Sequence, residues 1–187
     1  MGSILRYDLL ESHPDALVRD ALQFATEAHE GQVRKYTREP FINHPISVAY
    51  LVAGYDPHPT AIAAALLHDL VEDIEGWTQE RVALKFSPTI SELVWWVTKP
   101  SVVDYGGDKE ARNRIYHENL RRAPRNAIII KLADRLHNLL TLWDTIDEKQ
   151  RRKVRETQDF YLPLAEHHIL LIHEVEDALR EVMGAWK

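Results

Sequence analysis

Four ionisable residues, His68, Asp69, Glu72 and Asp73, stand within six positions, directly behind seven consecutive apolar ones, Ala61 to Leu67. The apolar run reads as a buried helical segment, and burying unpaired charge at its end is costly, so a compensating partner is expected. On a helix, residues four apart share a face, which pairs His68 with Glu72 and Asp69 with Asp73. Imidazole and carboxylate together suit a divalent ion such as Mn²⁺, Fe²⁺ or Zn²⁺. By itself a His-Asp dipeptide is equally consistent with two side chains hydrogen-bonded at a helix edge. Two further signals shift the balance. The segment Ile128-Ile129-Ile130-Lys131-Leu132-Ala133-Asp134 repeats the switch from apolar to charged, and His44 stands at the head of another helix in Asn43-His44-Pro45. Three separate helices can thus converge His44, His68, Asp69 and Asp134 on one ion. Positions are then left for water and substrate, as a catalytic metal requires.

The elements that must position these groups are helical. Apolar residues recur at helical spacing, glycines number only seven, and no stretch alternates β-branched with polar residues. The pattern predicts helices over about 14–30, 44–53, 60–72, 78–86, 89–97, 109–122 and 126–143. A long C-terminal helical region, about 149–183, is expected to bend near Pro163. Turn chemistry at Gly54-Tyr55-Asp56-Pro57-His58-Pro59 and the polar loop Asp104 to Gly107 separate them. The expectation is an all-α, single domain of about eight to ten helices over residues 1–187.

Bulk composition narrows the classes. With 187 residues the chain buries a core large enough to fold without a disulfide or structural metal. It has no cysteine, which excludes a disulfide framework and any thiolate-ligated zinc or iron–sulfur site, so a metal site must be built from N and O donors. The net charge of −6 argues against a nucleic-acid-binding surface. The N-terminus lacks the charged start and apolar core of a signal peptide, and no apolar run approaches a membrane span. A cytoplasmic protein without membrane or nucleic-acid partners is expected; homo-oligomerisation is left open.

The arrangement of H, HD and D in an all-α chain resembles the HD-domain metal-dependent phosphohydrolases. Within them, Ala28-His29-Glu30-Gly31-Gln32, Arg34-Lys35, Glu39 to Pro45, His68 to Asp73, Val97-Thr98-Lys99, Glu118-Asn119 and Lys131 to Asn138 (KLADRLHN) resemble, in order, the hydrolase domain of the RelA/SpoT alarmone enzymes. Glu156-Thr157 and Tyr161 to Ala165 extend the similarity, which covers about residues 15–170. A chain of this length has no room for a synthetase domain, so it is similar to the stand-alone small alarmone hydrolases, including the metazoan type. The resemblance implies hydrolysis of the 3′-pyrophosphate of (p)ppGpp to GDP or GTP plus pyrophosphate, with Mn²⁺ as cofactor. It implies His44, His68, Asp69 and Asp134 as metal ligands and Glu72 and Asp73 as the groups that handle water and protons. It further implies that Arg34 and Lys35 meet the nucleotide, Arg34 by stacking on the base, with Asn138 at the ribose and Thr141 near the base. The loop Tyr36 to Glu39 is one residue longer than the family pattern, and Leu140 stands where an arginine is frequent. Base preference is therefore open, which keeps (p)ppApp, or the phosphate of NADPH, as alternative substrates. A sensor that binds alarmone without cleaving it is the alternative from another class.

Overall fold

The computed structural model describes residues 7–35, 37–142 and 148–184; Tyr36 and Trp143 lie outside them. Among the described residues the architecture is all-α, with one isolated antiparallel bridge between Val33 and Pro40. The helices are α1 (Tyr7–Glu11), α2 (Ala16–Ala28), α3 (Asn43–Tyr55), α4 (Pro59–Leu66), α5 (Leu70–Asp73), α6 (Gln79–Lys85) and α7 (Pro88–Val97). They continue with α8 (Lys109–Leu120), α9 (Arg125–Leu140), α10 (Glu148–Glu156), α11 (Leu162–His168) and α12 (Ile172–Gly184).

Local chemistry explains the starts. Asp15, Thr78, Ser87 and Asp108 accept backbone N–H groups at the N-termini of α2, α6, α7 and α8, satisfying donors that the helices themselves cannot. Pro59 and Pro88 occupy first-turn positions, where the missing N–H costs nothing.

Helix α9 is the spine, packing against α3, α4, α7 and α12. It is buried without interruption from Ala127 to Leu136, and α4 is buried from Ala61 to Leu66. Helices apolar all round belong inside a core. Around them α2 presents only Val18, Ala21, Leu22 and Ala25 to the interior, an amphipathic face at helical spacing.

Two expected helices break. The one expected over 60–72 ends at Leu66, and α5 restarts at Leu70, so His68 and Asp69 sit on the turn between them. The break has a chemical cause. Leu67 N–H is shared between the Ala63 and Ala64 carbonyls, and His68 Nδ1 approaches the Ala65 carbonyl at 2.7 Å, capping the end of α4 with a side chain. The Asp69–Asp73 pairing survives, because Asp73 N–H donates to Asp69 O at 2.9 Å. The C-terminal region breaks once. Residues 148–168 stay helical through a π-helical segment, Thr157–Tyr161, just before Pro163, whose nitrogen cannot donate to the ladder. The interruption comes at Ile169 and Leu171, both at positive φ.

Because Ile130 is fully buried where α9 meets its neighbours, Ile130→Ala should destabilise the protein by about 2–5 kcal/mol. Urea unfolding followed by circular dichroism measures this, and a cost below ~1 kcal/mol would contradict the central place given to α9.

Candidate metal centre and substrate cleft

His44 lies in the first turn of α3, His68 and Asp69 on the α4–α5 turn, and Asp134 midway along α9. The chain folds so that they meet. His44 Nε2 lies 3.2 Å from Asp134 Oδ1 and 3.4 Å from Asp69 Oδ2. His68 Nε2 lies 3.2 Å from Asp69 Oδ2 and 3.9 Å from Asp134 Oδ1. One ligand atom from each of His44, His68 and Asp134 falls within 4.8 Å of the others, a span that one metal ion can bridge.

The donor set fits a divalent ion on a structural ground. His68 Nε2 is completely buried, faces the two carboxylates, and has no hydrogen-bond partner. Its other nitrogen is committed to Ala65 O, which places the Nδ1 proton there and leaves Nε2 to hold either a proton shared with Asp69 or, once that proton is displaced, an ion. His44 is oriented the same way, by a 2.8 Å contact between its Nδ1 and His137 Nδ1. One of those two nitrogens must donate. Burial, with His44 and Arg34 nearby, pushes His137 down to about 3, so its ring is neutral. In the tautomer where His44 Nδ1 donates and His137 accepts, His44 Nε2 is also free to donate a lone pair. On the carboxylate side, Lys131 Nζ sits 2.8 Å from Asp134 Oδ2, and Asn138 Nδ2 donates to Asp134 Oδ1. Two imidazole nitrogens and two carboxylate oxygens suit Mn²⁺, Fe²⁺ or Zn²⁺ alike.

The electrostatics ask for positive charge. Burial alone would lower the His68 pKa, but the Asp69 carboxylate overrides it and pushes the imidazole up to about 9. Asp69 and Asp134 are held below the usual carboxylate range against burial, by His68 and by Lys131 respectively. Beyond them, burial raises Glu72, with Asp69 adding to the effect; Asp73 is pushed up to about 6 by burial, Asp69 and Glu72. A carboxyl poised as Asp73 is exchanges protons readily near neutrality.

Glu72 is fixed from outside the turn. Its Oε1 accepts the backbone N–H of Lys99 at 2.6 Å, just past the end of α7. The Lys99 ammonium reaches 3.3 Å to Glu156 Oε1, at the end of α10. Glu156 also receives His117 Nε2 at 3.0 Å and Arg135 at 2.8 Å, tying α8 and α9 to the same carboxylate. The sequence gives no cue to this hub beyond the charges themselves. Lys131, Arg135 and His137 were equally silent as site residues, though 131, 134, 135 and 138 form a polar stripe at helical spacing on an otherwise apolar helix.

A cleft of about 380 Å³ opens beside the cluster, lined by Arg34, Lys35, Asp73, Asn138, Thr141 and, from α10, Lys149 and Lys153. The Val33–Pro40 bridge presents Arg34, with Arg34 N–H donating to Glu39 O at 2.8 Å and Phe41 N–H to Gln32 O at 2.9 Å. The longer loop is closed by Arg38 at φ 60°, a left-handed residue that absorbs the added position. The Arg34 guanidinium donates at 3.0 Å to both Asn138 Oδ1 and Thr141 Oγ1 and lies 5.8 Å from the Phe41 ring centre. All four residues expected to meet a nucleotide therefore line one cleft. His29 is buried, with its Nδ1 2.8 Å from Gln32 Oε1.

An all-α core with histidines and aspartates gathered from two helices and the turn between two others defines a class, and comparison with known proteins identifies it. Residues 21–168 match the HD-domain family model, and the chain belongs to the HD-domain family. It is 38% identical over 167 residues to the bifunctional (p)ppGpp synthase/hydrolase SpoT of Escherichia coli, covering 88% of this chain and 23% of that protein. It is 36% identical over 164 residues to a guanosine-3′,5′-bis(diphosphate) 3′-pyrophosphohydrolase of Aquifex aeolicus, covering 88% of this chain and 23% of that one. The chain thus spans about a quarter of the length of these curated relatives. A solved structure of a metazoan ortholog of SpoT, described as hydrolysing ppGpp, superposes with a TM-score of 0.69 at 27% identity, covering 91% of this chain and 97% of that one.

The hub yields a pH prediction. Burial alone would raise the Glu156 pKa, but His117, Arg135 and Lys99 hold it well below the usual carboxylate range. The unfolded chain, with an ordinary glutamate near ~4.3, takes up the proton first. The stabilisation is therefore present above about pH 4.3 and is lost as pH falls further. Glu156→Gln should lower stability at pH 7 and flatten the loss between about pH 5 and 3 relative to the parent. Denaturant titrations across that range read it; parallel acid limbs would refute the assignment.

Proposed function

We propose that this chain is a metal-dependent 3′-pyrophosphohydrolase that converts (p)ppGpp and water to GDP or GTP and pyrophosphate. The observation that carries the reading is the close match, over nearly the full length of both chains, to a metazoan protein described as hydrolysing ppGpp. On this reading His44, His68, Asp69 and Asp134 would hold a divalent ion, taken as Mn²⁺. The bound ion supplies Lewis acidity at the phosphoryl group and lowers the pKa of water.

The chain's own residues do the rest. Arg34, Asn138 and Thr141 form a hydrogen-bonded wall that meets the nucleoside, with Lys35 adding positive charge at the cleft. A guanidinium already held by Asn138 and Thr141 presents a fixed plane to a base, so little side-chain entropy is lost on binding. Glu72, anchored by the Lys99 N–H, and Asp73, raised to about 6, stand one turn from Asp69. Water adds to the phosphorus bonded to the ribose 3′-oxygen, and that P–O bond breaks. A carboxylate of the Glu72–Asp73 pair accepts the proton of the water. Its carboxylic-acid partner returns one to the departing 3′-oxygen.

Purified protein with Mn²⁺ should release pyrophosphate and GDP from ppGpp. Parallel reactions with ppApp and NADPH test base preference and phosphatase chemistry: turnover of either in place of ppGpp would replace the proposed substrate. Tight binding of ppGpp without turnover would leave a sensor. Asp69→Ala should lose bound metal and activity together. Glu72→Gln should retain metal, measured by elemental analysis, while kcat falls by about 10²- to 10⁴-fold; an unchanged kcat would remove Glu72 from proton handling.

A further inference from the structure

Lys153 is the odd lysine of this molecule. It lies on α10, one turn after Lys149, and both line the cleft. Its ammonium has no hydrogen-bond or ion-pair partner among the described residues, although its side chain is half-buried. The other well-shielded amines each have one: Lys131 has Asp134, and Lys99 has Glu156. Burial, then repulsion from Arg135, lowers Lys153 to about 8; Asp134 attracts it from a distance, and Lys149 and Arg34 repel it. A partly desolvated ammonium with no counter-ion in contact is stabilised by an external anion.

Asp73 lines the cleft from α5, and Lys149 and Lys153 line it from α10. A nucleotide carrying phosphate groups at both its 3′ and 5′ positions is a polyanion that needs positive charge for both groups, and the end being cleaved belongs beside the carboxylate–histidine cluster. We infer that Lys153, supported by Lys149, binds the 5′-phosphates of the substrate and makes this cleft selective for nucleotides phosphorylated at both ends. The inference rests on the hydrolase reading above. It concerns a group that reads the uncleaved end, and Lys153 is a specificity residue rather than a participant in bond cleavage.

The experiment compares two substrates, ppGpp and guanosine 3′-diphosphate, which lacks the 5′-phosphates, in the parent, Lys153→Met and Lys153→Arg with Mn²⁺. In the parent, kcat/KM should favour ppGpp. Lys153→Met should cut kcat/KM for ppGpp by about tenfold or more, mainly through KM, and leave guanosine 3′-diphosphate within about twofold. Lys153→Arg, which keeps the charge, should restore most of the preference. Equal losses on both substrates, or none on either, would overturn the inference while leaving the hydrolase reading intact. If the parent cleaves neither compound, the hydrolase reading fails. Calorimetric binding of the same two nucleotides to the same three proteins then decides the Lys153 contact by the same ratio. Thermal unfolding of each variant separates a lost contact from a lost fold.

Discussion

Two carboxylates that repel each other, Asp69 and Asp134, are brought together at the edge of an apolar core, and much of the molecule is arranged around that expense. Their partners are drawn from every side: His44 from α3, His68 from the turn itself, and Lys131 from one turn earlier on α9. None of these contacts is an exposed surface pair, so each is strong in the low-dielectric interior, and removing one partner strands the other. The geometry is correspondingly over-determined. His68 is held by Ala65 O, His44 by His137, and Asp134 by Lys131 and Asn138. A charge cluster with so many fixed neighbours is pre-organised, because its donors are aimed before any ion arrives.

Helix α9 shows how one element serves both core and site. Its apolar residues fill the interior, while Lys131, Asp134, Arg135 and Asn138 form a stripe along the face turned to the other functional helices. Lys131 and Asp134 belong to the metal cluster, Arg135 reaches back to Glu156, and Asn138 reaches forward to Arg34. The stripe thus joins the cluster, the cleft and the hub at α10 through one rigid rod. Glu72 is reached by a second route, from Glu156 through Lys99 to its backbone N–H. The π-helical segment that follows Glu156 begins where this hub ends, as π-bulges often do beside functional sites.

Much of this was legible in the sequence, for identifiable reasons. Long apolar runs specify helices through period and length, so α2, α3, α7, α8 and α9 fall close to where periodicity places them. His68, Asp69 and Asp134 announce themselves because charge at the end of an apolar run demands compensation, whereas His44, at the head of α3, stands out only as a further imidazole that could meet them. The turn at Leu67–Asp69 was not legible, since nothing in Ala61 to Leu67 lacks helix propensity. What stops the helix is a side-chain cap that exists only once His68 is oriented by the cluster. The Glu156 hub was hidden for a similar reason. Its four members are separated by up to 57 residues and become a unit only through tertiary packing.

The helix break that sequence periodicity missed is also what makes the site workable. On a continuous helix, His68 and Asp69 would point about 100° apart, and only one could face Asp134 squarely. Turning the backbone after Leu67 lets both aim at His44 and Asp134 while Asp73 remains one turn from Asp69. The same turn sets the charge at the cluster. Asp69 and Asp134 meet there with Glu72 and Asp73 close by, while the ammonium of Lys131 contacts Asp134 alone among them. Carboxylates gathered in that way would repel a phosphate group. A divalent cation held by Asp69 and Asp134 would offset that charge, so metal and phosphate binding at this place would be thermodynamically linked.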